Sequence, residues 1–364
     1  MMARREMAAA GGPGRGEASG EQPLGGEGRP VRVGIVSFAH VHVHAYVPGL
    51  KSLPHVALAG AYDEEPARGR AEAQRYGLRF FERLEDLLEA VDAVVITAPN
   101  ALHHRYTLAA VQARRHVLCE KPLATTVEHA AEMVRRASEA GVRLMTAFPM
   151  RFSPPVVTAK RAVASGVVGE VRAVTGSNNG RMPPGWFGDP ELAGGGATMD
   201  HVVHLADIYR WLVGHEPVEV MAEAGTLLHE GSRVDDVAMV LLRFPGGVIG
   251  TIDASWSRPA SYPTWGGLRF RVIGTEGLLD IDAFGQQAQL SSDKERAHRW
   301  VYWGSDADRA MLAAFVEAVR SGGPVPVSGE DGLAAVRVAV AAQQSAKSGQ
   351  PVAIRQESLR VAPE

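Results

Sequence analysis

The chain has 364 residues, enough for two domains, and its hydrophobic and charged fractions of 46% and 22% are those of an ordinary globular protein. A formal net charge of −3 argues against nucleic acid or an anionic membrane as the main partner. Cys119 is the only cysteine, which excludes an intrachain disulfide and fits a reducing, cytoplasmic setting, and no apolar run approaches the roughly 20 residues that span a bilayer.

Residues 1–30 are mostly Gly, Pro, Ala and charge and read as a disordered tail. Arg4-Arg5 is reminiscent of a twin-arginine export signal, but no apolar stretch follows it. A strand–helix half is expected over 31–148. Val31 to Val36 predicts the first strand and Val56 to Tyr62 the second, ending at Asp63. A helix follows, with Pro66 in its first turn and Gly77 at its end. Phe80-Phe81 reads as a short strand and Ala93 to Thr97 as a buried one. Asn100 is placed to cap the next helix, which ends near Arg114-Arg115. His116 to Cys119 is the following strand. Thr125-x-x-Glu128 reads as a capping box for a helix that Gly141 closes, and Arg143 to Ala147 is the last strand of this half. Such alternation implies a parallel, doubly wound sheet.

The pattern changes near Phe148, and a second domain is expected over 149–355. Glu170 to Asn178, Pro217 to Glu223, Asp235 to Phe244, Val248 to Trp256, Leu268 to Ile273 and Leu278 to Ile281 read as strands. Pro245-Gly246-Gly247 and Thr275-Glu276-Gly277 stand where hairpin turns belong. Helices are expected over 198–212, 307–320 and 330–347. The fold class is therefore α/β plus α+β: a Rossmann-type domain, then a large open, mostly antiparallel sheet.

A doubly wound sheet binds ligands at the carboxyl ends of its strands. The usual glycine fingerprint after the first strand is replaced here by Ser37-Phe38-Ala39-His40-Val41-His42. Ser37, Phe38, Ala39 and His40 are the expected cofactor loop. Asp63 stands where an acid accepts a ribose 2′-hydroxyl and repels a 2′-phosphate, which favours NAD over NADP; an ordinary turn aspartate is the bland alternative. His40, His42 and His44 would share one face of an extended segment, as metal ligands do. The strand–helix order does not fit a metal-dependent barrel, so no metal is expected, and a pocket role and a solvated loop both stand.

Glu120-Lys121-Pro122 ends the strand at Cys119. A lysine there reaches a substrate hydroxyl or a cofactor, and the proline imposes a special turn, cis being accessible at X-Pro. Gly194-Gly195-Gly196 leads into a helix on which Asp200, His204 and Asp207 share a face. A carboxylate beside a histidine fixes its tautomer, and the histidine takes a proton from an alcohol. The glycines are expected to let the chain pass close to a ligand. An i,i+4 pair on a solvated face is the alternative.

In these stretches the chain resembles the glucose–fructose oxidoreductase / inositol 2-dehydrogenase (Gfo/Idh/MocA) family. The matching runs are Ala98-Pro99-Asn100-Ala101-Leu102-His103, His116 through Ala124, Met150-Arg151-Phe152-x-Pro154, and Gly194 through Asp200 with His204 and Asp207. The resemblance implies an NAD-dependent dehydrogenase that oxidises a secondary hydroxyl of a sugar, sugar acid or cyclitol. It makes Lys121 the residue that holds the reacting hydroxyl beside the cofactor, and Asp200 and His204 the acid–base pair. It places Asn100, His103 and Glu120 around the cofactor, with Ala98 where the family usually has threonine. It also implies a homodimer or homotetramer through the second sheet. A glycosidase or eliminase using transient oxidation, and a ligand-sensing protein of the same fold, are the alternatives. From position alone, Asn178, Asn179, Arg181, Trp186 and His201 are candidates for holding a polyol, with Trp256 and Arg258 near the end of a later strand.

Overall fold

The computed structural model describes residues 28–292, 297–302 and 304–355. The tail expected over 1–30 lies outside them but for its last three residues. The first half runs β1 (Val31–Val36), α1 (Val43–Lys51), β2 (Val56–Tyr62), α2 (Pro66–Tyr76), α3 (Leu84–Ala90), β3 (Ala93–Ile96), α4 (His103–Gln112), β4 (His116–Cys119), α5 (Val127–Glu139) and β5 (Leu144–Thr146). Its five strands form a parallel sheet in the order β2-β1-β3-β4-β5. β3 and β4 are buried along their whole length, as apolar runs must be when helices cover both faces of a sheet. The strand order reverses between β1 and β3, which opens a crevice at their carboxyl ends.

The second half continues with α6 (Pro154–Ala164), β6 (Val171–Gly180), α7 (Pro190–Ala193), α8 (Ala197–Val213), β7 (Glu219–Gly225), β8 (Val237–Arg243), β9 (Ile249–Ser255), β10 (Gly266–Gly274), β11 (Leu278–Asp282), β12 (Gln287–Ser292), β13 (Ala297–Tyr302), α9 (Ala307–Ser321), α10 (Gly329–Ser348) and β14 (Val352–Ala353). Seven strands make an open sheet in the order β11-β10-β6-β9-β8-β7-β14, antiparallel except for the pair β6 and β9. The turns at 245–247 and 275–277 join antiparallel neighbours, as their glycines predict. β8 alternates strictly: Ala238, Val240 and Leu242 are buried while Met239, Leu241 and Arg243 face outward. α8 lies on the buried face, and its Tyr209 hydroxyl donates to the Thr251 carbonyl on β9.

The last helices return to the first half. Met311, Leu312 and Phe315 of α9 pack against α1 and β1. α10 contributes to three cores: Ala335 and Ala339 to one beside α9, Leu333 and Val336 to the other face of the parallel sheet, and Val338, Ala341 and Ala342 to the second sheet. Near the junction, Arg151 is buried and donates from Nε to Asp207 Oδ2 at 2.6 Å, with a second bond to Asp331 Oδ1 at 3.0 Å. Asp207 is thus a structural anchor, not a third member of the chemical face of α8.

Several local expectations are corrected. Phe80 forms only an isolated bridge to Ala61, because the chain turns at once into α3. α5 is capped by Thr126, whose side chain accepts from the His129 amide, so the cap falls one residue later than the Thr125–Glu128 box. Asn100 does not cap α4. It is buried, and its Nδ2 donates to the Ala193 carbonyl, tying the loop after β3 to the chain before the glycine run.

Candidate active site

The glycine-poor loop after β1 has one residue in a conformation that favours glycine. Ser37 has φ 75°, a left-handed conformation uncommon for a residue with a side chain. Four contacts hold it: its amide donates to the Tyr62 carbonyl at 2.7 Å, its hydroxyl donates to Glu64 Oε1 at 2.9 Å and accepts from the Ala39 amide, and its carbonyl accepts from Thr97 Oγ1 at 2.6 Å. The Phe38 amide donates to Asp63 Oδ2 at 2.8 Å. Asp63 also accepts from the Glu65 amide and, bidentately, from Arg68 at 2.7 and 3.0 Å. The carboxylate expected to take a ribose hydroxyl is therefore committed within the protein. Glu64, the next residue, keeps Oε2 shielded and unpartnered. Asn100 Oδ1, in the loop after β3, is in the same state. Shielded polar atoms without partners point to a ligand, so the donors and acceptors at this switch point fit a nucleotide cofactor.

His40 and His42 turn inward while His44 leaves on α1 and meets the Tyr76 hydroxyl at 2.7 Å. The shared face expected for all three histidines needs an extended segment, and the helix that starts at Val43 removes it. His42 Nδ1 lies 3.0 Å from Glu120 Oε1, and His40 Nδ1 lies 3.9 Å from the same oxygen. Burial pushes His40 down to about 3. Burial also opposes the charged form of His42, but the Glu120 carboxylate more than offsets it and raises that imidazole. Burial alone would raise Glu120; His40 and His42 reverse this and hold it below the usual carboxylate range.

The Lys121–Pro122 peptide is cis. Lys121 is 4% exposed, and its Nζ donates to Asp200 Oδ1 and, at 3.3 Å, to the Asp200 carbonyl. Asp200 Oδ2 accepts from Trp256 Nε1 at 3.1 Å and lies 3.2 Å from His201 Nε2. Burial would raise this carboxyl, but Lys121 and His201 hold it well below its ordinary range. The expected Asp200–His204 pair does not form: an ammonium from beyond β4, an indole from beyond β9 and the adjacent His201 take the carboxylate first. His204 Nδ1 is shielded without a partner, while the ring lines the cavity. Burial and then the Lys121 charge push His204 well below its ordinary value, so it stands neutral.

These groups meet in a cavity of about 240 Å³ between the two halves. His40, His42, Lys121, Asp200, His201 and His204 line it, together with Asn178, Trp265 and Asp308. Sequence reasoning missed Trp265 and Asp308. Asp308 lies in the first turn of α9, far along the chain, and only the return of that helix brings it here. The other candidates divide. Asn178 lines the cavity and donates to the His201 carbonyl, whereas Asn179, the next residue on a strand, points to the other face and bonds Asp253 and Ser255. Arg181 donates to the Tyr262 carbonyl outside the cavity. Trp186 donates to the Ala39 carbonyl at 3.0 Å and stacks on Phe187, so it braces the first loop. His103 is fully buried between the Pro122 and Ala98 carbonyls, at 2.8 and 3.0 Å, and steadies the Lys121 turn from behind. The glycine run faces protein, not ligand: a Cβ on Gly196 would stand 1.7 Å from the Asp235 carbonyl oxygen. The Asp235 carboxylate in turn takes the Gly196 and Thr198 amides at the start of α8.

Residues 31–148 match the NAD-binding Rossmann fold of the GFO/IDH/MocA oxidoreductases, and residues 156–280 match the GFO/IDH/MocA C-terminal domain. The chain is 33% identical over 297 residues to the 1,5-anhydro-D-fructose reductase of Ensifer adhaerens, covering 79% of this chain and 88% of that one. It is 29% identical over 339 residues to the myo-inositol 2-dehydrogenase of Thermotoga maritima, covering 90% and 99%. The crystal structure of GenD2 from gentamicin A biosynthesis in complex with NAD superposes with a TM-score of 0.83 at 28% identity, over 93% of this chain and all of that one.

Proposed function

Since the chain belongs to the GFO/IDH/MocA family of NAD(P)-dependent oxidoreductases, we propose that it oxidises a secondary hydroxyl of a sugar, sugar acid or cyclitol with NAD. The observation that carries this reading is the buried Lys121–Asp200 ion pair on the cavity wall, with His204 and His201 beside it. Lys121 holds the carbinol oxygen, and its charge stabilises the alkoxide. Asp200 fixes the ammonium, with Trp256 fixing Asp200 in turn. His204, neutral and on the cavity wall, takes the hydroxyl proton. A bound nicotinamide supplies the hydride acceptor. Glu64 and Asn100 hold the cofactor at the switch point through the oxygens the protein leaves unpartnered. His201 is a second candidate for the base, favoured by its contact with Asp200.

The cavity supports the substrate class. At about 240 Å³ it is smaller than the roughly 300–1,000 Å³ that holds drug-sized ligands, which suits a single ring. Its wall combines hydrogen-bonding groups with the Trp265 indole, a surface on which a sugar face stacks. Around Arg68 stand three carboxylates, Asp63, Glu64 and Glu65, against one guanidinium. That balance favours NAD over a cofactor with an added 2′-phosphate.

The test is growth of NADH absorbance when the purified chain meets NAD and a panel of polyols and sugar acids. Lys121→Ala is expected to lose about 10²–10³-fold in turnover. Undiminished turnover by that variant overturns the mechanism. Release of a leaving group without net NADH points instead to transient oxidation.

A further inference from the structure

We propose that His40, His42 and Glu120 form a site for one divalent ion of the zinc class, open on its remaining side to the cavity. The inference goes beyond the dehydrogenase reading and does not depend on it. Each of the three residues offers a ligand atom within 4.8 Å of the other two, and among the described residues no other group of His, Cys, Asp or Glu converges in this way. Around a tetrahedral zinc with bonds of about 2.0–2.1 Å, neighbouring ligands stand roughly 3.3 Å apart. His42 Nδ1 stands 3.0 Å from Glu120 Oε1, near that value; His40 Nδ1, 3.9 Å from the same oxygen, accepts the His42 amide, so the ligand His40 offers is Nε2, with the ring proton moving to Nδ1 and that amide contact giving way. Two imidazoles and one carboxylate are a donor set that zinc and its neighbours favour, and three protein ligands leave a position for water or substrate oxygen.

Two independent observations support a cation here. The Glu120 side chain has no exposure and accepts from the His42 ring and the Lys121 backbone amide, with no Lys or Arg side chain donating to it. A buried carboxylate calls for a compensating charge. The Lys121 ammonium beside it is already matched by Asp200, which limits its repulsion of an added cation. The second observation is His40 itself: the residue is 1% exposed, its Nδ1 accepts only the amide of the next-but-one residue, His42, and its Nε2 is shielded with no partner in the protein. The ring sits on the cavity wall, between the His42 and Phe187 rings. An ion entering from the cavity would draw both imidazoles onto Glu120 and tie the glycine-poor loop to β4. Its open position would take a hydroxyl or carboxylate oxygen of the ligand that Lys121 also meets.

The full chain, stripped with a chelator and desalted, is titrated with zinc by calorimetry and with cobalt by visible absorption, in the absence of nicotinamide. One ion per chain is expected. Affinity is expected to fall by more than about a hundredfold in His40→Gln and in His42→Gln, since loss of an outer-shell partner alone costs about ten- to a hundredfold. It is expected to be unchanged in His104→Gln, where a surface histidine pairs with Glu132 and stacks on His129. If the buried His40→Gln variant does not fold, His42→Gln decides, because the His42 side chain is 35% exposed. Absence of stoichiometric binding, or binding that survives both loop substitutions, overturns the proposal. Since no turnover is measured, neither result bears on whether the chain is a dehydrogenase.

Discussion

Two adjacent acids at the end of β2 divide their tasks. Asp63 organises the loop through the Phe38 amide and Arg68, while Glu64 braces Ser37 with one oxygen and keeps the other unpartnered. Glu64→Gln is expected to weaken NAD binding about tenfold and to narrow the preference for NAD over NADP, both read by fluorescence titration with each cofactor. Asp63→Asn is expected to act differently, lowering the melting temperature because the loop loses its anchor. The acid position was legible from the strand ending at Tyr62, but which neighbour is tied up within the protein rests on Arg68, which reaches back from α2. Asp200 has the same history. Its place one turn before His204 was plain in the spacing, whereas its direction depends on Lys121, Trp256 and His201. On β6, a period of two puts Asn178 in the cavity and Asn179 out of it, and only the register of the strand against α8 tells which.

Elements that bury one long apolar run were readable, and those set by their neighbours were not. β1, β3 and β4 follow directly from their Val, Ile and Leu content. α1 was missed because three histidines and an internal Pro48 disguise it. α6 was missed because it opens on Pro154-Pro155, which suits a first helical turn but looks like a loop. α3 is only seven residues long. Arg151 is the pivot between elements, joining the turn after β5 to α8 and to Asp331 near the start of α10. Removing one partner of a buried pair leaves the other charge unpaired, and burial already pushes the Asp207 carboxyl up despite Arg151. Arg151→Met is expected to cost about 3–5 kcal/mol in urea denaturation, and Arg151→Met with Asp207→Leu to recover much of that loss.

Across the whole molecule, buried neutral histidines set an acid limit to stability. Burial, followed by the Arg143 charge, lowers His116 to about 4; burial lowers His40 to about 3 and depresses His103 in the same direction. Unfolded histidine titrates near 6.5. Below that pH the unfolded chain takes up protons that the folded one refuses. The stability these groups contribute is therefore complete above about pH 6.5, falls as pH falls, and stops falling at each folded value. Each contributes a slope of up to about 1.4 kcal/mol per pH unit. His116→Gln is expected to flatten the curve of urea midpoint against pH between about 6.5 and about 4 by that one share.

The position of α10 in three cores has a consequence for synthesis. Domains of a growing chain commonly settle one after another as they leave the ribosome. Here the parallel sheet, although its strands are made first, waits for Leu333 and Val336 to close one face and for Phe315 and Ala339 to close the other. Neither half has its full core until the segment through Ala342 is free. The apolar faces that α9 and α10 cover in the folded chain therefore gain their last partners only once the residues through Ala342 have been made.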